Sequence, residues 1–204
     1  LAIYADESCI GNGREGSNPG GGAGLIEYRS ADGDLTRFDF WLSEPGTTNN
    51  RMALCGAIEA FRVISRKGKS FRVVYTSDSQ YLVKGMSEWI HGWIVNGWRR
   101  KGGAIENLEL WRTLADAVRG HQTQWRWVRG HRGHPQNEYA DHLAVRAARA
   151  QTHSEGAVPS VFDAWLEAER AKGRKMGEPD PFPDERTFKA ARPLPQVTKA
   201  SSAS

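Results

Sequence analysis

Apolar residues recur along the first 150 positions with two different periods, and the switches between them mark out the elements. Residues 1–6 form an apolar run ending at an acidic residue, a strand pattern, and residues 23–28 form a second. Residues 35–41 alternate apolar and polar side chains, which predicts a half-exposed third strand joined to the second by a hairpin turn at Ala31, Asp32, Gly33 and Asp34. A Gly-, Asn-, Ser- and Pro-rich stretch over 11–22 predicts a turn between the first two strands. The period then changes. Thr47, Thr48, Asn49 and Asn50 supply helix-capping side chains, and Leu54, Ile58 and Phe61 follow at i, i+4 and i+7, so a helix is expected to about Lys67. A buried-type strand over 71–76 stops just before Asp78. Helical segments follow near 79–85, 88–96 and 106–119, then a fifth strand over 123–128 and a helix over 136–149. This order, β-β-β-α-β-α-α-α-β-α, predicts an α/β fold with a five-stranded mixed sheet flanked by helices.

The last quarter loses both periods. Six of the nine prolines lie beyond residue 158. The expectation is one domain over 1–150 and a flexible extension over 151–204, with a short amphipathic helix over 162–172. Removing such an extension should leave thermal melting nearly unchanged. A length of 204 residues fits that division, since 150 residues bury a real core. Hydrophobic content of 39% and mean hydropathy of −0.61 point to a soluble chain with no membrane partner. Residues 1–6 have no basic segment or cleavage site, so no signal peptide is expected. The chain also opens inside a strand pattern without Met, so a few upstream residues are expected to be absent. Cys9 and Cys55 have no metal-ligand spacing and read as reduced thiols of a cytoplasmic, monomeric protein. Residues 1–150 hold 20 Lys and Arg against 16 Asp and Glu, so the net charge of +4 belongs to the domain and suits a polyanionic partner.

The acidic residues sharpen this. Hydrolysis of a phosphodiester with Mg²⁺ requires carboxylates converging from separate elements onto two ions about 4 Å apart. Asp6 ends the first strand, Asp78 follows the fourth, and Asp141 lies on the final helix. Carboxyl ends of strands in an open α/β sheet are where such sites form. Singly, each Asp reads as a cap or a solvated side chain. Together their contexts are specific: Asp6-Glu7-Ser8, then Thr47-Thr48-Asn49-Asn50-Arg51-Met52, then Ser77-Asp78-Ser79-Gln80-Tyr81, then Gly130-His131 with Asn137, Glu138 and Asp141.

These four motifs, in order and over about 1–150, resemble the bacterial type 1 ribonuclease H family. The resemblance implies a ribonuclease H-like fold and an endonuclease cutting the RNA strand of RNA–DNA hybrids with two Mg²⁺ ions, Mn²⁺ substituting. It implies Asp6, Asp78 and Asp141 as metal ligands and catalytic residues. It also gives His131 a catalytic role in proton transfer or release of the cleaved phosphate, for which a near-neutral imidazole suits. Asn12, Thr48, Asn49 and Gln80 are implied contacts to the hybrid, with Thr48 beside a helix N-terminus suited to a DNA phosphate and Asn49 also a capping residue. Trp93 and the basic run Arg99, Arg100 and Lys101 resemble the family's basic protrusion and would meet sugar and phosphates. His134, before Pro135, reads as structural.

Two positions depart from the family pattern. Ala53 stands where the family has its fourth carboxylate, a glutamate, and Glu7 stands where it has glycine. Strand alternation points Glu7 opposite to Asp6, which argues against Glu7 as a ligand. Glu59 lies on the far side of the helix from position 53. Three carboxylates should therefore hold the ions more weakly, and loss of one preorganised group costs about 10²–10⁴ in rate. Ala53→Glu is accordingly expected to raise cleavage. The alternative function is a catalytically weak hybrid-binding protein of the same fold.

Overall fold

A computed structural model describes residues 1–11, 18–66 and 68–196. Six strands form one sheet in the order β5-β4-β1-β2-β3-β6. They are β1 (Ala2–Cys9), β2 (Gly20–Arg29), β3 (Leu35–Glu44), β4 (Arg72–Ser77), β5 (Gln122–Trp127) and β6 (Val158–Pro159). β1, β2 and β3 pair antiparallel, whereas β4 and β5 run parallel to β1. The sheet is therefore mixed, and the strands expected from the alternation are present with boundaries shifted by a few residues. The sixth strand, two residues long, was not expected. It pairs Phe38 with Pro159 and Asp39 with Val158, along the otherwise open edge of β3.

The two faces of the sheet carry separate apolar clusters. Alternate residues of β1 divide between them. Ile3 and Ala5 join Leu54, Ala57, Ile58 and Phe61 of α1 (Asn49–Ser65) in the larger cluster. Ala2 and Tyr4 join Tyr139, Leu143 and Ala144 of α5 (Pro135–Ala150) in the smaller. Between β4 and β5 the chain forms α2 (Gln80–Lys84), a π-helical turn (Gly85–Trp89), α3 (Ile90–Val95) and α4 (Leu108–Val118). Among the described residues, no helix is long and apolar enough to cross a membrane.

The expectation of a flexible extension is corrected over residues 151–196. The short helix does form, as α6 (Phe162–Ala171), and it is docked. Phe162 is 1% exposed and meets the Tyr139 ring edge-on at 5.4 Å, and Leu166 is buried beside it. Beyond α6 the chain runs over the surface, held at intervals. Ala191 donates its N–H to the Thr123 carbonyl on the edge strand β5, and Lys189 donates to the Gln124 side chain at 2.9 Å. Leu194 packs on the larger cluster. The apolar anchors Phe162, Leu166, Met176, Phe182 and Leu194 are too widely and irregularly spaced to produce a period. Polar, Pro-rich sequence between them therefore resembled a linker.

Candidate active site

The strand ends nearest α1 and α5 gather the acidic residues. Asp6 lies in the second half of β1 and is buried, at 8% exposure. Its Oδ1 accepts the Glu7 N–H at 2.7 Å and its Oδ2 accepts Asn137 Nδ2 at 2.9 Å. The second bond fixes the first turns of α5 against the end of β1. Asp141 follows Asn137 by four residues and so shares that helix face. Asp78 comes immediately after β4, the strand parallel to β1. Gly130 packs so closely over it that an added Cβ would lie 2.0 Å from the Asp78 carboxylate, so a side chain there would have to displace that carboxylate. This contact brings the loop bearing His131 beside Asp78. His131 is exposed and holds a left-handed backbone (φ 53°), unusual for a residue with a side chain.

The structure adds a residue that sequence reasoning set aside. One carboxylate oxygen each from Asp6, Glu7 and Asp78 lie within 4.8 Å of one another. Alternation holds for the backbone. Glu7 pairs with Gly22, and an added Cβ on Gly22 would meet the Met52 carbonyl at 3.0 Å, so Glu7 emerges on the α1 face while Asp6 emerges on the α5 face. Opposite Cβ directions nevertheless leave the longer Glu7 side chain able to bring its carboxylate within reach of those of Asp6 and Asp78. The Met52 carbonyl belongs to the same turn of α1 as Ala53. That alanine is 4% exposed and lies in the core cluster under this face. The signal that could have found Glu7 was the conjunction of the two departures, Glu7 and Ala53, which the fold places on the same face of the sheet.

The electrostatics fit a cation site. Burial raises the Asp6 carboxyl well above the usual carboxylate range, and the charges of Asp78, Glu7 and Asp141 add to it. Glu7 keeps some exposed surface, yet its carboxyl lies deep among protein atoms. Burial and then the Asp78 charge push it up to about 8, partly offset by a hydrogen bond with Ser79. Burial also raises Asp78 and Asp141, with the His131 charge acting against both shifts. Carboxylates crowded in this way repel one another until a hard cation neutralises them, and oxygen donors at such spacing suit Mg²⁺ or Mn²⁺. Asp141 interacts electrostatically with Asp78 but stands outside the three-carboxylate group.

The other expected contacts are distributed as follows. Thr48 caps α1, its hydroxyl accepting the Arg51 N–H, and Asn49 opens the helix. The Cys9 thiol bonds the Thr47 carbonyl at 3.3 Å, which ties this helix start to the end of β1. Gln80 is exposed in the first turn after Ser79. Trp93 is half-buried in a ridge of Trp89 and Trp111, at ring distances of 5.8 Å and 5.4 Å. Arg99, Arg100 and Lys101 are exposed beyond α3. Asn12 lies outside the described residues. His134 caps α5 through Nδ1, in keeping with a structural part.

Comparison with known proteins agrees with this arrangement. The family model for RNase H matches residues 1–149. The chain belongs to the ribonuclease H family. Ribonuclease H of Herminiimonas arsenicoxydans is 45% identical over 147 residues, 72% of this chain and 92% of that protein. Ribonuclease H of Granulibacter bethesdensis is 42% identical over 148 residues, 72% and 91% of the two chains. The solved structure of LC9-RNase H1, described as a type 1 RNase H with the type 2 active-site motif, is 54% identical. It superposes with a TM-score of 0.88 over 100% of this chain and 96% of its own. This ribonuclease H therefore belongs to a family of metal-dependent endoribonucleases that cut the RNA strand of RNA–DNA hybrids.

Proposed function

We propose that this ribonuclease H is an active hydrolase whose fourth carboxylate is Glu7, placed on β1 in compensation for Ala53 on α1. The observation that carries this reading is the convergence of Asp6, Glu7 and Asp78 oxygens within 4.8 Å. The description of LC9-RNase H1, a type 1 enzyme with a type 2 active-site motif, fits a chain of this fold that departs from the type 1 carboxylate pattern. Asp6, Glu7, Asp78 and Asp141 would hold two divalent cations, Mg²⁺ or Mn²⁺, which when bound supply activation of the attacking water and stabilisation of the leaving oxygen.

The remaining chemistry belongs to side chains of the chain itself. Asn137 keeps Asp6 oriented through its Nδ2. His131, on its exposed loop beside Asp78, takes or returns a proton at an imidazole nitrogen as the cleaved strand leaves. Thr48, Asn49 and Gln80 surround the strand ends and address phosphate and 2′-hydroxyl groups. Arg99, Arg100 and Lys101 add a salt-sensitive hold on the backbone. The test is cleavage of a hybrid labelled on each strand in turn, with Asp78→Asn alongside. RNA-strand cuts dependent on Mg²⁺ and on Asp78 are expected. Cutting of the DNA strand, or full activity in Asp78→Asn, would refute the assignment.

A further inference from the structure

The loop that presents His131 is not self-supporting. Its residues 130–133 precede α5 with two left-handed positions, His131 (φ 53°) and Gly133 (φ 75°). Segment 172–180 of the extension, beyond the residues matched by the family model, grips the loop at its exit. Gly177 donates its N–H to the Gly133 carbonyl at 2.8 Å. The Lys175 carbonyl sits so close that an added Cβ on Gly133 would lie 2.8 Å from it. Glu138, 7% exposed, is a bridge between loop and extension. Its Oε1 accepts the Gly133 N–H at 3.1 Å and its Oε2 accepts Arg174 Nη2 at 3.2 Å. Arg174 in turn is anchored by Nη1 on Glu169 Oε2 at 2.8 Å, a residue of the docked helix α6. A few residues on, Asp180 joins Arg126 of β5 and lies 3.2 Å from His134 Nε2, while its backbone exchanges two hydrogen bonds with the Gln136 amide.

Gly133, two residues from His131, is therefore held at its carbonyl by the extension and at its N–H by Glu138, whose other oxygen the extension's Arg174 braces. We propose that the extension acts as a clasp for the histidine loop, with Arg174 and Asp180 as positioning residues for turnover. The inference rests on the role given to His131 above. Without the clasp, the Gly133 carbonyl loses the Gly177 N–H and Glu138 Oε2 loses Arg174, so the loop should sample other conformations. Displacements of this size far from the chemistry are costly: a 1 Å misplacement is worth up to about a hundredfold.

The experiment is a double-mutant cycle on the full chain. Arg174→Ala should lower kcat by about tenfold while KM for the hybrid stays within about twofold, since the clasp does not touch substrate. Asp180→Asn, which keeps the backbone bonds to Gln136, should act in the same direction, and Arg174→Lys should recover part of the loss. In a His131→Ala background, Arg174→Ala should change kcat by less than about twofold, because the group it positions is already gone. A full tenfold loss persisting in that background, or an unchanged kcat in both Arg174→Ala and Asp180→Asn, would overturn the clasp. His131→Ala alone separates the two readings. If it leaves kcat unchanged, the role of His131 fails and the clasp's route to catalysis fails with it. If it lowers kcat while the Arg174 and Asp180 variants do not, only the clasp fails.

Discussion

The two sides of β1 contribute to the same site by different means. On the α1 side the contribution comes from the strand itself: the Glu7 carboxylate lies with those of Asp6 and Asp78, near the helix that carries Ala53. On the α5 side it comes from the helix. Asn137 bonds Asp6, Asp141 follows on the same face, and the histidine loop leads into that helix. The first arrangement is short, because Glu7 belongs to β1 itself and is paired there with Gly22 of β2. The second depends on how α5 and its entry loop are seated, and in this chain that seating involves α6 and residues 172–180. On the proposed reading, a carboxylate has moved between elements while the ion-binding region stays in place. Orienting groups on a loop need external support.

The largest effect expected from disturbing the α5 side is thermal. Truncation after residue 155 removes Phe162 and Leu166 from the smaller core cluster. Each such side chain contributes about 1.5–3 kcal/mol, so Tm should fall by at least about 6 °C. Scanning calorimetry of the two chains measures it. A change below about 2 °C would mean that the extension is a passenger after all.

A smaller effect, on the α1 side, is electrostatic. In the presence of a chelator, Glu7 is more readily protonated in the folded chain than in the unfolded one, its carboxyl being raised to about 8 by burial and by Asp78. The folded state therefore binds the extra proton between the ordinary carboxylate value and about 8, and stability falls as pH rises through that window. Glu7→Gln should flatten this slope and melt a few degrees higher than the parent at pH 8. Melting curves from pH 5.5 to pH 8 follow it, and identical slopes in the two chains would contradict the burial of that charge. Mg²⁺ should raise Tm of the parent more than of the variant, since only the folded parent holds the ion fully.

The smallest effect concerns Ala53→Glu alone. Three carboxylates without Glu7 would predict a large gain from a new glutamate. With Glu7 already beside Asp6 and Asp78, a further carboxylate at a 4% exposed position adds repulsion and crowding. Hybrid cleavage should therefore stay within about tenfold of the parent. A hundredfold gain would show that the site is one carboxylate short.

Much of this was legible in the chain. The alternation over 35–41, the i, i+4, i+7 series from Leu54 and the stop before Asp78 produced the strands and helices that position the site. Motif contexts singled out Asp6, Asp78, Asp141 and His131. Two things were hidden, for different physical reasons. Strand alternation describes where Cβ atoms point, not where a glutamate's carboxylate ends after three further bonds, so alternation alone argued against Glu7. The extension carries its contacts on isolated residues such as Arg174, Asp180 and Phe162, each paired with a partner distant in sequence, and no local pattern records such pairing.

The central claim is that Glu7 does the work of the glutamate absent at position 53, and the direct measurement is single-turnover cleavage of an RNA–DNA hybrid in Mg²⁺ by three chains. Relative to the parent, Glu7→Gln should lose at least about a hundredfold, the low end for one preorganised catalytic group. The exchange Glu7→Gly with Ala53→Glu, which moves the carboxylate from strand to helix, should return the rate to within about tenfold of the parent. Parental activity in Glu7→Gln would contradict the account, because Asp6, Asp78 and Asp141 would then suffice without it.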